Sequence, residues 1–272
     1  MSEVKVALLR QGLSQIRVWL ALALVVLLAS GRVQAGSLVW FANSPEYAEP
    51  SKLSGYLVQP TGPGPLPAVV VLHGCGGISS HSVGIADELS RWGYVALAVD
   101  SLGPRGIGDA CGQFFIGQVT DAVAAAAFLA QQPVVDPTRI AILGQSMGGS
   151  SALTIVERGS SERHFSQRFT AAIAYYPACR GHSPNLIAPT LILIGADDDL
   201  NRAGACREMV SMPHADGAEI ELVVYPGAYH AFDVDWFQPG KEVRGHWFEY
   251  NASARNDAQR RVRDFLEKNT KR

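Results

Sequence analysis

From Ala68 onward the chain alternates short, almost wholly apolar runs with segments of helical length, and this alternation restricts the fold more than any other feature. Runs such as 68–72 (AVVVL) and 190–194 (TLILI) have no polar face, which suits strands covered on both sides rather than strands of a half-solvated sheet. Strands are expected at 37–42, 53–59, 68–72, 95–99, 139–143, 171–175, 190–194 and 219–224. Helical patterns are expected at 83–92, 119–131, 147–157, 203–211 and 254–267. Each is long enough to cross over the sheet and begin the next strand parallel to the last. The expected fold is therefore α/β, a mainly parallel central sheet of about eight strands flanked by helices, with the two opening strands as an antiparallel edge. In such sheets ligands bind at the C-terminal ends of the strands, so the chemistry is sought there.

One pentapeptide stands at such an end. Gly144, Gln145, Ser146, Met147 and Gly148 read GxSxG, directly after the apolar run RIAIL and directly before a helical segment. A serine on a sharp strand-to-helix turn needs small flanking residues, because the backbone is strained and neighbouring chains approach closely; Gly144, Gly148 and Gly149 supply them. The bare pattern also fits a glycine-rich turn, but this context makes Ser146 a candidate nucleophile. Such a hydroxyl needs a base to remove its proton and a carboxylate to orient that base. The chain order for this turn is Ser, acid, His. His230, in YPGAYHAF just after the last expected strand, satisfies it. His73 and His81 precede the serine, and His164, His182, His214 and His246 read as surface residues.

The acid is expected where TLILI runs into Gly195, Ala196, Asp197, Asp198 and Asp199. A strand-end glycine followed three residues later by aspartate points to Asp198, with Asp199 as the alternative and Asp197 facing solvent. A tetrahedral oxyanion also needs donors. The candidates are the backbone N–H groups of Met147, which follows the serine, and of Cys75 in the glycine-rich loop HGCGG after AVVVL.

Composition excludes several other classes. Hydrophobic residues make up 47% of the 272 residues and charged ones 18%, with a formal net charge of −2, so neither a disordered chain nor a partner of nucleic acid or anionic membrane is expected. No cysteine pair has CxxC spacing and no HExxH occurs; no metal and no cofactor are expected. At the N-terminus, Lys5, Arg10 and Arg17 precede the uncharged run 18–29, and Val33 and Ala35 are small residues at the −3 and −1 positions of a cleavage site. Residues 1–35 are expected to be a signal peptide, with an uncleaved anchor as the alternative, and 36–272 a single exported domain, periplasmic or extracellular. Export makes disulfides available to the four cysteines. Cys75 and Cys111 follow strand ends on one side of the sheet, as do Cys179 and Cys206, so pairing 75 with 111 and 179 with 206 is expected; four free thiols are the alternative.

The stretches AVVVLHGCGG, RWGYVALAVDSLGPRG, RIAILGQSMGG, AYYPAC, PTLILIGADDD and YPGAYHAFD, in this order, resemble the dienelactone hydrolase family of α/β-hydrolases over essentially the whole expected mature chain. The resemblance implies an α/β-hydrolase fold without a separate cap domain, and a nucleophile, Asp and His at Ser146, Asp198 and His230. It also implies a departure. The founding members use cysteine as nucleophile and carry glutamate in the loop after the third strand, whereas this chain has Ser146 and Gly74. A general carboxylic ester, small or oligomeric, is accordingly the expected substrate rather than a lactone bearing a carboxylate. Arg105 is a candidate carboxylate binder or a loop-stabilising ion pair. Tyr176 and Trp236 are further candidate substrate contacts, Trp236 within an aromatic group with Phe237, Trp247 and Phe248 that equally suits core or lid packing.

The expected activity is that of a serine hydrolase cleaving esters through an acyl-enzyme on Ser146. The alternatives are a serine peptidase of the prolyl-oligopeptidase type and a non-catalytic binding protein on the same fold. N-terminal sequencing of the exported protein should begin at Gly36; a mature chain beginning at Met1 would overturn the cleavage expectation.

Overall fold

The computed structural model describes residues 35–43, 52–113, 115, 117–160, 168–213 and 217–271. The expected signal segment therefore lies outside the described residues, apart from Ala35, as do His164 and His214. Eight strands form one sheet: β1 (Ser37–Ala42), β2 (Lys52–Val58), β3 (Leu66–Leu72), β4 (Val95–Asp100), β5 (Val135–Gln145), β6 (Ala172–Tyr175), β7 (Thr190–Gly195) and β8 (Ile220–Tyr225). Their order is β1-β2-β4-β3-β5-β6-β7-β8. β1 and β2 pair antiparallel, β2 joins β4 antiparallel, and every pair from β4 through β3 to β8 is parallel.

Among the described residues five α-helices flank this sheet: α1 (Ser80–Arg91), α2 (Gly117–Ala130), α3 (Met147–Val156), α4 (Ala203–Ser211) and α5 (Ala252–Thr270). The apolar runs lack a polar face because alternate residues serve opposite layers. On β3, Val69 and Val71 pack in one core with Ala86 and Leu89 of α1 and Val262 and Leu266 of α5. Val70 and Leu72 join the other core, with Ala125 and Leu129 of α2 and Ile155 of α3. Burying each valine or leucine in this way is worth roughly 1.5–3 kcal/mol.

The helix starts are chemically marked. Ser79 caps α1 by accepting from the Ser82 N–H, and Asn251 caps α5 by accepting from the Ala254 N–H at 3.0 Å. Asn251 also donates to the Gly227 carbonyl.

Several boundaries differ from the sequence reading, and one element is new. β5 begins at Val135, four residues before the apolar run, where Val135 pairs with Leu66 across a register shift. α5 starts at Ala252 and continues to Thr270. A two-stranded hairpin, β9 (Lys241–Val243) and β10 (His246–Phe248), lies outside the main sheet and was not expected at all. Its turn is Arg244-Gly245, with φ of 55° and 84°, the left-handed pair that a two-residue hairpin requires.

Register decides where the site must be. Leu72 of β3 pairs with Gly144 of β5, Gln145 with Tyr175 of β6, and Gly195 of β7 with Tyr225 of β8. The parallel strands thus end together, and the loops that follow share one edge. The chain leaves β3 toward β4 on one side and leaves β5 toward β6 on the other, so the crevice between the ends of β3 and β5 is the switch point of the topology.

Both disulfides pair as expected from the sequence, Cys75 with Cys111 and Cys179 with Cys206. The second ties the loop after β6 to α4 across a sequence separation of 27 residues. Replacing Cys179 and Cys206 together by alanine should lower the unfolding free energy by about 3–4 kcal/mol, the loop-closure entropy of a bridge this long. Urea denaturation against the parent protein measures it, and a change below about 1 kcal/mol would contradict the assignment.

Candidate active site

Ser146 sits between the last residue of β5 and the first of α3 with φ 53° and ψ −112°, a conformation rarely held by a residue with a side chain. Two features hold it there. Its N–H donates to the Tyr175 carbonyl at 2.9 Å, and its carbonyl accepts from the Ser150 N–H in the first turn of α3. The glycines make room for this. A Cβ on Gly144 would strike the Gly148 carbonyl, and one on Gly148 would lie 2.5 Å from the Leu72 carbonyl oxygen. On Gly149 it would meet the Tyr175 carbonyl at 2.8 Å. The hydroxyl is therefore raised over the sheet edge at the N-terminus of α3, where partial positive charge favours a developing anion.

The three residues expected to act together are in contact. His230 Nε2 is 3.0 Å from Ser146 Oγ, and its Nδ1 is 2.8 Å from Asp198 Oδ2. Because a carboxylate can only accept, Nδ1 carries the proton and Nε2 is left to accept from the serine. Asp198 is fixed in turn: its Oδ1 accepts from the backbone N–H groups of Leu200 at 3.0 Å and Asn201 at 2.7 Å. Asp198 and His230 are 3% and 2% exposed, so the pair is shielded from competing water. The run of three aspartates is resolved by this geometry. Asp197 and Asp199 are exposed, and Asp199 accepts from the Trp247 N–H on the hairpin.

The HGCGG loop closes one side of the site. His73 is fully buried; its Nδ1 donates to the Gly74 carbonyl at 2.6 Å and its Nε2 accepts from the Ser101 N–H at 3.1 Å. Burial pushes its pKa below the ordinary histidine value, which fits this neutral tautomer. Gln118 donates to the His73 carbonyl at 2.9 Å, and Ser151 of α3 donates to Gln118 at 3.2 Å. The loop is thereby tied to the helix that follows Ser146. Cys75 lies beside Ser146 in the cleft, its carbonyl accepting from the Ala110 N–H and its sulfur bonded to Cys111.

These loops enclose a cleft of about 700 Å³. Ser146, His230 and Tyr176 line its floor, and Trp236, Phe237 and Phe248 supply much of its apolar wall. The Phe248 ring packs edge-on to the His230 ring at 5.0 Å. Trp247, the fourth aromatic residue of that group, is 40% exposed and packs against Tyr229 instead. His246, read from the sequence as a surface residue, lines the cleft.

Arg105 is held in an ion pair. Its guanidinium makes a two-pronged pair with Asp121 of α2, both contacts at 2.8 Å, and also donates to the Ser101 carbonyl at 2.6 Å. Of the two roles open to it, the structure supports the loop-stabilising ion pair. Burial raises the Asp121 pKa against the opposing pull of Arg105, so the guanidinium is committed to a costly partner. Sequence reasoning also passed over His81, which lines the cleft from α1 and contacts Asp233 at 3.0 Å. In the sequence only its position before the serine bears on His81, because its partner lies 152 residues away.

The profile described as "Dienelactone hydrolase family" matches residues 53–270 of the chain. Among curated proteins, the chain is similar to a Bradyrhizobium protein described as a probable 2-oxo-3-(5-oxofuran-2-ylidene)propanoate lactonase. The two are 29% identical over 194 residues, covering 65% of this chain and 77% of the relative. It is also 25% identical over 245 residues to a Synechocystis protein bearing the name of a carboxymethylenebutenolidase, covering 79% of this chain and 92% of that one. Among solved structures, a dienelactone hydrolase-like promiscuous phosphotriesterase from metagenomic libraries superposes with TM-score 0.68 at 20% identity, covering 87% of this chain and 99% of its own. An esterase from Pyrobaculum calidifontis does so with TM-score 0.66 at 17% identity, covering 90% and 89%. At these identities the solved structures speak for the fold, an α/β-hydrolase.

A fluorophosphonate should label this chain at Ser146 alone, read as one mass increment on the tryptic peptide that contains it. His230→Ala should slow labelling by about 10²–10⁴-fold, the usual contribution of a general base. Labelling elsewhere, or at an unchanged rate in that variant, would sink the assignment.

Proposed function

The chain belongs to the dienelactone hydrolase family, and we propose that it is an exported serine hydrolase that cleaves carboxylic esters through an acyl-enzyme on Ser146. The observation that carries this reading is the unbroken contact from Ser146 Oγ through the His230 imidazole to Asp198, at 3.0 and 2.8 Å. In the proposed reaction Ser146 attacks the ester carbonyl while His230 Nε2 takes its proton. His230 then returns that proton to the leaving alcohol, and water repeats the sequence to release the acid. Asp198 keeps Nδ1 protonated and favours the imidazolium that forms. The backbone N–H groups of Met147 and Cys75 are the proposed oxyanion donors, each worth about 2.7–4 kcal/mol in comparable sites.

The substrate proposed is a neutral ester with an apolar acyl or alcohol portion, small or oligomeric. Support comes from the aromatic wall of the cleft and from the commitment of Arg105 to Asp121, which removes it as a carboxylate receptor. Gly74 favours the same substrate, because a Cβ there would already lie 3.6 Å from Ser146 Cβ and an acidic side chain would begin in contact with the nucleophile. Export is supported by two disulfides, which persist in oxidising compartments. Among the described residues no helix is long and apolar enough to cross a membrane.

Residues 36–272 should hydrolyse p-nitrophenyl acetate and butyrate, and Ser146→Ala should lower kcat by roughly 10⁴-fold or more. A matched anilide should be cleaved far more slowly than the ester. Full activity in Ser146→Ala would refute the mechanism, and preference for the anilide would favour a peptidase.

A further inference from the structure

Beside the three proposed catalytic residues runs a buried chain of hydrogen bonds that the proposed reaction does not consume. His81 Nε2 of α1 lies 3.0 Å from Asp233 Oδ2. The Tyr176 hydroxyl donates to Asp233 Oδ1 at 2.9 Å and accepts from Gln145 Nε2 at 3.2 Å. Asp233, Tyr176 and Gln145 are 6%, 2% and 4% exposed. A buried carboxylate is costly and seldom adds net stability over apolar packing, so its placement three residues after His230 asks for another explanation.

Tyr176 reaches the surroundings of all three proposed catalytic residues. Its ring packs edge-on to the His230 ring at 4.7 Å. Its carbonyl accepts from Asn201 Nδ2 at 2.8 Å, and the N–H of that same Asn201 donates to Asp198. Its hydroxyl holds Gln145, the residue before Ser146. Its backbone has φ 38°, a conformation that a residue with a side chain keeps only when its surroundings fix it.

Resting on the reading of Ser146, His230 and Asp198 as catalytic, we propose that Tyr176, anchored by the His81–Asp233 pair, is the positioning residue that keeps His230 and Asp198 aligned with the serine. It acts through the His230 ring on which it packs. Asp233 is the fixed acceptor to which its hydroxyl is tied, and His81 keeps that acceptor ionised. Burial works against charge on both partners, yet their mutual attraction prevails: Asp233 is held below the usual carboxylate range and His81 above the ordinary histidine value. The other charged groups facing His81 are Asp235 and Arg255, with Glu88 and Arg91 of α1 lining the adjoining pocket; Tyr175 faces Asp233 from the end of β6.

The test is steady-state hydrolysis of p-nitrophenyl butyrate from pH 5 to 9, with enzyme concentration counted as fluorophosphonate-reactive sites. Tyr176→Phe, which keeps the ring, should lower kcat by about tenfold and leave KM within about twofold, because misalignment penalises the reacting geometry rather than binding. Asp233→Asn, which replaces the anionic acceptor by a neutral one, should lower kcat in the same direction, and the double variant should be no worse than Tyr176→Phe alone, since the hydroxyl that Asp233 anchors is already gone. His81→Ala removes the cation that keeps Asp233 ionised, so the acid limb of its kcat profile should move to higher pH. Unchanged kcat per site in Tyr176→Phe, or effects that multiply in the double variant, would overturn the positioning role. Should Asp233→Asn fail to fold, Tyr176→Phe decides alone. Absence of ester hydrolysis in the wild-type protein would instead refute the proposed function, so the two failures are distinguishable.

Discussion

The whole site is organised by a conformational demand at one residue, the left-handed backbone of Ser146 at the end of β5. Such a conformation costs a residue with a side chain about 1–3 kcal/mol and survives only when its surroundings over-determine it. Here the surroundings are hydrogen-bonded and steric rather than merely apolar. The Ser146 N–H is fixed to Tyr175 on the neighbouring strand, and its carbonyl is committed to the first turn of α3. Gly144, Gly148 and Gly149 let three backbones approach to distances at which a Cβ would collide with carbonyl oxygens. The packed core beneath is what resists relaxation: β5 is central in the sheet, with both faces buried.

The polar groups at the sheet edge show how this strain is contained. Buried polar side chains cost free energy unless paired, and those that link the loops beside the cleft are paired in sequence. His73 spans from the Gly74 carbonyl to the Ser101 N–H, Gln118 joins His73 to Ser151, and Ser151 reaches back to the Met147 carbonyl. The loop after β3, the loop after β4 and the start of α3 thus form one unit. The Cys75–Cys111 bridge adds a further tie on the outer rim, where Arg244 of the hairpin also meets Asp109. That last pair is exposed and contributes little by itself. Its consequence is geometric, since it brings the β9–β10 turn to the Asp109–Cys111 loop.

Much of this was legible before any coordinates, for a physical reason. Two-sided burial removes the polar face from a strand, so AVVVL and TLILI announce a parallel sheet, and the glycines around Ser146 announce close backbone approach. The distance from Gly195 favoured Asp198 and left Asp199 open, and the structure places Asp198 against His230. What escaped were features that depend on partners distant in sequence. Nothing local marks Asp233 as the partner of His81, 152 residues away, or Asp121 as the partner of Arg105. The hairpin at 241–248 escaped because its strands are three residues each and its turn is Arg-Gly rather than Asn-Gly.

Arg105, in the loop after β4, could receive an anion only if its charge were not already spent. Here the counter-charge comes from Asp121, fully buried on α2, which could not remain ionised at low cost if the guanidinium swung toward a ligand. The same accounting applies to His81, whose charge is spent on Asp233. Within the cleft Trp236, Phe237 and Phe248 offer an aromatic surface, while Arg244 at the rim is exposed and paired only with the exposed Asp109. Aromatic surfaces select by shape and apolar area, so for the ester substrate proposed above discrimination should come largely from the length and width of the apolar group.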